Sequence, residues 1–178
     1  ARRNAYEIGV SYSTTEGAGL QAEWTRRNLT GRADPLTVSA TLAELQQGVS
    51  IALTRPHAAG LGHAATWGAT VNREALDAYT RQGAAIFASV DASTRLRTST
   101  SYGVRLAADE YDDVSGTVRD AIVLSAFADW RNDSTGFSLD PRDGSITDFR
   151  LEPSIAAGDE SLAFIRAIAE GRIYESFG

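Results

Sequence analysis

The chain has no cysteine, no methionine and no lysine, and only two histidines and four prolines in 178 residues. Without cysteine there is no disulfide framework, thiolate zinc site or thiol nucleophile. Cationic charge rests on arginine alone, and 17 arginines against 23 carboxylates leave a formal net charge of −6. That balance lacks the basic stripe of a nucleic-acid binder, so no nucleic-acid partner is expected. The start shows neither a signal-peptide nor a transit pattern and no initiator Met, so a processed or trimmed N-terminus is expected. The longest nearly apolar run, Ala121 to Ala128, falls far short of the ~20 residues a spanning helix needs. This excludes a helical membrane protein but not a strand-built one.

What the chain does have is alternation with a period of two. Tyr6, Ile8, Val10 and Tyr12 interleave with Glu7, Gly9, Ser11 and Ser13. Leu96, Thr98, Thr100, Tyr102, Val104 and Leu106 interleave with Arg95, Arg97, Ser99, Ser101, Gly103 and Arg105. Helical stripes of comparable length are absent. The pattern predicts about ten strands, at 5–13, 19–28, 35–43, 47–55, 63–73, 80–91, 94–107, 117–130, 146–156 and 161–174. Parity is unclear in 80–91 and 161–174, where alanine falls on both faces, and Pro153 points to a bulge or an unpaired stretch. No linker divides the chain, so residues 1–178 read as one segment.

Several segments reach the 9–11 residues of a tilted membrane strand, beyond the 5–6 usual in soluble sheets. The polar faces carry Ser, Thr, Gly, Gln, Arg and Glu, which suits a water-filled lumen. The apolar faces are rich in alanine, which suits lipid better than a packed core. The reading is all-β: an antiparallel up-and-down meander forming part of a transmembrane barrel, the alternative being a soluble antiparallel sheet with one wet face.

Few residues suggest chemistry. His57 and His63 share one connection with no further ligands nearby, so no metal site is expected. No activated-serine elbow occurs, and no catalytic residues or cofactor are expected. Asp109, Glu110, Asp112 and Asp113 form the densest charge cluster, read as an outer loop with cation contacts as the alternative to a plain solvated loop. Arg95, Arg97 and Arg105 are expected on one strand face, as are Asp148, Arg150 and Glu152. In a barrel these six would be lumenal charges.

Four motifs in order resemble BamA/TamA-type outer-membrane assembly barrels, most closely the TamA type. Ile8 to Gly17 resembles the first barrel strand and outer loop. Trp24 to Arg32 resembles the second strand running into an Asn-Leu-x-Gly-Arg turn, and Thr54-Arg55-Pro56 resembles the end of the fourth. Asp129 and Arg131, followed by Asp140, Pro141 and Gly144, resemble the acidic–basic pair and Pro-x-x-Gly turn before a long strand. The family barrel has sixteen strands, preceding periplasmic repeats and a long sixth loop. The chain is therefore similar to the first part of such a barrel, cut at both ends.

The resemblance implies a bacterial outer-membrane location and a role in inserting or assembling outer-membrane proteins, including autotransporters, without ATP or covalent catalysis. The implied partners are outer-membrane lipids, lipopolysaccharide, client outer-membrane proteins and an inner-membrane partner subunit. Tyr6 through Ser13 is the expected seam, where free N–H and C=O groups template an incoming strand. A passive porin or secretion pore, and a soluble β-sheet binding module, are the alternatives. If the chain starts on the periplasmic side, 14–18, 44–46, 74–79, 108–116 and 157–160 face outward. That end collects Glu74, Asp77, Asp109, Glu110, Asp112, Asp113, Asp159 and Glu160, whereas Arg26, Arg27, Arg32, Arg55, Arg131 and Arg142 gather at the other.

Overall fold

Period-two alternation gives every strand two unlike faces, and pairing decides whether those faces join into continuous surfaces. The computed structural model describes residues 3–13, 17–95, 97–135, 143–159 and 161–175. Ten strands run in chain order: β1 (Asn4–Ser13), β2 (Gly17–Arg26), β3 (Leu36–Ala43), β4 (Gln46–Pro56), β5 (His63–Leu76), β6 (Tyr79–Arg95), β7 (Thr98–Asp113), β8 (Val118–Asp133), β9 (Gly144–Gly158) and β10 (Leu162–Tyr174). They form one antiparallel sheet in the order β1 to β10, each strand pairing with the next. All ten predicted strands are present. Most run longer than their alternation suggested, because hairpin pairing carries the ladder past the apolar stretch that marks a strand in sequence.

Register joins like faces throughout. Val10 stands opposite Leu20, Leu20 opposite Leu42, Ile51 opposite Ala69, Ile86 opposite Leu106 and Leu106 opposite Leu124. The result is a single layer with one apolar and one polar face and hardly any core. Among the described residues the buried apolar side chains are Ala65, Ala85, Ala92 and Ala107, whereas Ile8, Val10 and Ile155 are 77%, 82% and 61% exposed. A soluble sheet would need a second layer over so broad an apolar surface.

On β7 the apolar face is bounded by Thr100 and Glu110. At about 3.4 Å per residue that is roughly 34 Å along the strand, or about 26 Å across at a tilt near 40°, close to the apolar band of membrane barrels. Aromatics edge this band at one end. Tyr6 stands opposite Trp24, and Trp130 opposite Phe149. Relative to the residues aligned with Trp24, the aromatic position steps by two residues at Trp67 (from Ala69), four at Tyr102 (from Leu106) and six at Trp130 (from Leu124). A girdle must step in this way across tilted strands to stay level.

The polar face is tied by cross-strand pairs. Ser39 Oγ lies 2.7 Å from Ser50 Oγ, Thr54 Oγ1 3.0 Å from Thr66 Oγ1, and Ser125 Oγ 2.8 Å from Ser154 Oγ. Two phenylalanines also lie on this face over glycines. Phe87 covers Gly68, and a Cβ added at Gly103 would sit 2.8 Å from Phe127 Cζ. Pro153 behaves as its chemistry requires. Ser134 N donates to Ser145 O at 2.8 Å, so the odd-numbered residues of β9 turn their backbone groups to β8. Pro153 belongs to that set and has no N–H to offer. Pairing skips Ala126 and Phe127 and resumes in the same register at Ala128 opposite Leu151, which is an unpaired stretch and not a bulge.

Candidate functional site

The candidate seam lies on β1. Arg27 N donates to Arg3 O at 2.8 Å, so these two residues form a hydrogen-bonded pair one step beyond Asn4 opposite Arg26. Such pairs alternate strictly in antiparallel sheets. Ala5, Glu7, Gly9, Ser11 and Ser13 therefore turn their backbone N–H and C=O groups to β2. Those of Asn4, Tyr6, Ile8, Val10 and Tyr12 point to the open edge, where no strand pairs among the described residues. Of the predicted stretch Tyr6 to Ser13, then, Tyr6, Ile8, Val10 and Tyr12 carry the free groups. Their side chains lie on the apolar face. Glu7, Gly9, Ser11 and Ser13 support the β1–β2 ladder.

This edge belongs to the weakly tied part of the sheet. Strands β1–β4 have 8–11 residues and β5–β10 have 13–17. Among the described residues, the ion pairs joining one strand to another all lie from β6 onward. Arg81 reaches Asp109 at 3.0 Å, and its guanidinium lies 5.5 Å from the centroid of the Tyr111 ring. Across β8–β10, Arg131 meets Asp148 at 3.1 Å, Arg150 meets Asp129 at 3.3 Å and Glu152 at 3.1 Å, and Arg166 meets Glu152 at 2.6 Å. Arg150 also lies 5.1 Å from the centroid of the Phe127 ring.

The structure thus gathers Asp148, Arg150 and Glu152 on one face, as alternation predicted. It adds Asp129 and Arg131, singled out in sequence as a turn motif, and Arg166, which sequence reasoning missed. The other predicted trio separates. Arg95 is the last residue of β6, beyond an irregularity at Ser93/Arg95, and pairs with Thr98. Arg97 stands just before β7, and its carbonyl accepts from Asp133 N at 2.8 Å, so it continues the β7–β8 ladder in the parity of Arg105. The hairpin thus removes Arg95 from the row and leaves Arg97 and Arg105 in it. Gly144 opens β9 at φ 111°, whereas Asp140 and Pro141 lie outside the described residues.

The acidic tract is corrected as well. It is not a loop, because β7 continues to Asp113 and the turn follows it. Asp109 is buried against Arg81, while Glu110, on the opposite face, accepts 2.6 Å from Gln82 Nε2. Asp113 accepts from Ser115 N at 2.8 Å and Thr117 N at 3.1 Å, which closes the turn. These cross-strand partners, up to 28 residues away in sequence, hold the tract extended and scatter its carboxylates. Among the described residues no three ligands gather to hold a metal. His57 and His63 serve their own connection: His57 Nδ1 accepts from Gly62 N at 3.3 Å, and His63 Nδ1 lies 3.0 Å from Leu61 O.

At the arginine-rich end, the β2–β3 connection is built around Asp34, which sequence reading passed over. Its side chain is fully buried. It accepts from Thr30 Oγ1 at 2.6 Å, Thr30 N at 3.0 Å and Arg32 N at 3.4 Å, with Arg55 at 4.0 Å. The Thr30 hydroxyl above all, with these amides, outweighs burial and holds the carboxyl down at about 2. Asn28, at φ 57°, accepts from Ala33 N at 2.8 Å and completes the turn.

Comparison with known proteins follows this geometry. A family model described as the Omp85 superfamily domain matches residues 28–178. Among solved structures, the fold is similar to the crystal structure of BamA from Haemophilus ducreyi lacking POTRA domains 1–3. The TM-score is 0.75 at 12% sequence identity, and the match covers 99% of this chain and 43% of that chain. The chain thus spans less than half the length of that relative. No curated protein matches the sequence.

Proposed function

Because the chain belongs to the Omp85 superfamily, we propose that residues 1–178 supply the first ten strands of a bacterial outer-membrane barrel that assembles other outer-membrane proteins. The observation that carries this reading is how loosely β1 is tied to the rest of the sheet. Five of its residues turn their backbone donors and acceptors away from β2, at the end of the sheet with the shortest strands and, among the described residues, no interstrand ion pairs. An edge exposed when so weakly held a strand parts from its neighbour is avoided in finished proteins because it recruits strands. In an assembly factor that recruitment is the activity, since an incoming strand gains a hydrogen-bonded partner before it meets the hydrocarbon, where unpaired backbone groups are untenable. Outer-membrane lipid and lipopolysaccharide contact the apolar band. Autotransporters are among the clients, and an inner-membrane subunit couples to the periplasmic side.

The test is disulfide trapping in the full-length protein. Cysteine at Ile8 is expected to capture a cysteine in the terminal strand of a client stalled during assembly, and cysteine at Ile86, in mid-sheet, is not. Equal capture at both positions, or none at Ile8, refutes the seam. The charged polar face supports a second reading as a passive pore. It requires steady conductance in planar bilayers with no effect on client insertion.

A further inference from the structure

We propose that the start of β1 holds a docking site for a free chain terminus: Arg3, backed by Arg27, receives the α-carboxylate of a client strand laid antiparallel along β1. This corner carries Arg3, Arg26, Arg27 and Arg32, all exposed. Among the described residues none of the four has an ion pair or a side-chain hydrogen bond. They concentrate unpaired cations in a chain whose net charge is −6. The one carboxylate of the adjoining 27–35 connection, Asp34, is fully buried and taken up by Thr30 and the turn amides. Along the same face of β1 and β2 the first acids are Glu7 and Glu23, four residues or about 14 Å away.

Arg27 N donates to Arg3 O at 2.8 Å, so the two side chains stand directly opposite each other on the polar face. Like charges so placed weaken a strand pair, and an anion beside them relieves the repulsion. Asn4, the next residue, turns its N–H and C=O away from β2. A strand whose last residue stands beside Asn4 exchanges both hydrogen bonds with it. The Asn4 N–H then donates to one oxygen of the terminal carboxylate. The second oxygen is left level with Arg3, whose guanidinium takes it in a charge-assisted hydrogen bond. Arg27, two ladder spacings or about 10 Å from that strand, acts through its field.

The same charge selects direction. An antiparallel strand finishes beside the start of β1, whereas a parallel one begins there and sets an α-ammonium against the arginines. A strand that runs on past Asn4 presents only neutral peptide and gains nothing from them. The corner therefore suits one class of substrate, a segment that ends in a free carboxylate where its pairing ends. The inference rests on β1 templating client strands, as proposed above, and adds which end of the strand is read.

The test uses the full-length protein in lipid vesicles and synthetic peptides of a client's terminal strand, each with one cysteine and either a free carboxylate or an uncharged amide at its end. Disulfide capture is read at equilibrium in a thiol buffer. In the proposed register a cysteine two residues before the last stands opposite Tyr6, at a backbone separation a disulfide spans. Tyr6→Cys is expected to capture the acid peptide about fivefold better than the amide, the worth of one exposed charge-assisted contact. Arg3→Gln should remove most of that preference and Arg3→Gln with Arg27→Gln all of it, with capture of the amide peptide unchanged. Six further residues beyond the strand should cancel the advantage although the peptide still ends in a carboxylate. A cysteine eight residues before the last should be captured by Tyr12→Cys and not by Tyr6→Cys. Gel heat-modifiability confirms that each variant folds. Equal capture of acid and amide at Tyr6→Cys with none at Ile86→Cys, an undiminished preference in the double variant, or the opposite pairing of cysteines overturns the carboxylate site and leaves templating by β1 standing. Capture of neither peptide at Tyr6→Cys, or equal capture at Ile86→Cys, overturns the templating itself.

Discussion

Proline placed along β1 separates the two jobs of that strand. Ile8 turns its N–H to the open edge, so Ile8→Pro removes a templating donor without breaking a bond to β2. Gly9 turns its N–H to Gln21, so Gly9→Pro removes a ladder bond and strands the Gln21 carbonyl. One backbone hydrogen bond has a net worth of about 0.5–1.5 kcal/mol. Ile8→Pro should therefore weaken strand capture by roughly 2- to 13-fold. Tyr6→Pro, Ile8→Pro and Val10→Pro combined should abolish it while the barrel still folds. Gly9→Pro should instead cost stability, about 1–3 kcal/mol for a carbonyl left without its donor. Two assays on the full-length protein in vesicles check this: the rate at which a client barrel inserts, and the heat-modifiability of the variant itself. Equal loss of insertion at even and odd positions with folding intact would refute the assignment of free groups. So would full activity in the triple variant.

Three further outcomes follow from the same geometry. The Asp34 carboxyl is depressed from 3.8 to about 2. The stability it lends is complete above pH ~4 and disappears as pH falls towards 2. Exchange of the Leu29, Thr30 and Arg32 amides, corrected for intrinsic rate, should rise across that window in the wild type and stay flat in Asp34→Asn. Gly103→Val would drive a Cβ into Phe127 and the Ala88 carbonyl, at a cost of about 1–3 kcal/mol. Gly171→Ala meets nothing within 4 Å and should be silent, so matching thermal midpoints for the two would discredit the packing of Phe127 on Gly103. Finally, cysteine at Asp77 should react with an impermeant reagent in whole cells, and cysteine at Arg32 should not. Connection length argues the other way, because the Arg32 end carries connections of nine (27–35) and six (57–62) residues and the Asp77 end only two (44–45 and 77–78) to four (114–117). Labelling at Arg32 would give length precedence over charge and reverse the orientation.

The sequence alone determined ten strands, their order and the two unlike faces. Side chains alternate across a strand whatever it pairs with, and Gly, Pro, Asn and Asp punctuate a meander locally. The shared face of Asp148, Arg150 and Glu152 was legible for that reason. Tertiary structure decided everything that depends on register. It assigned Ile8, and not Gly9, to the open edge. It placed Arg95 at the end of β6, across a hairpin from Arg97 and Arg105, and it held Asp109 in a strand through an arginine 28 residues away. It also set Arg3 directly opposite Arg27. A side chain's face follows from its own strand, whereas its neighbours follow from where the next strand begins to pair, which the turns and the whole ladder settle together.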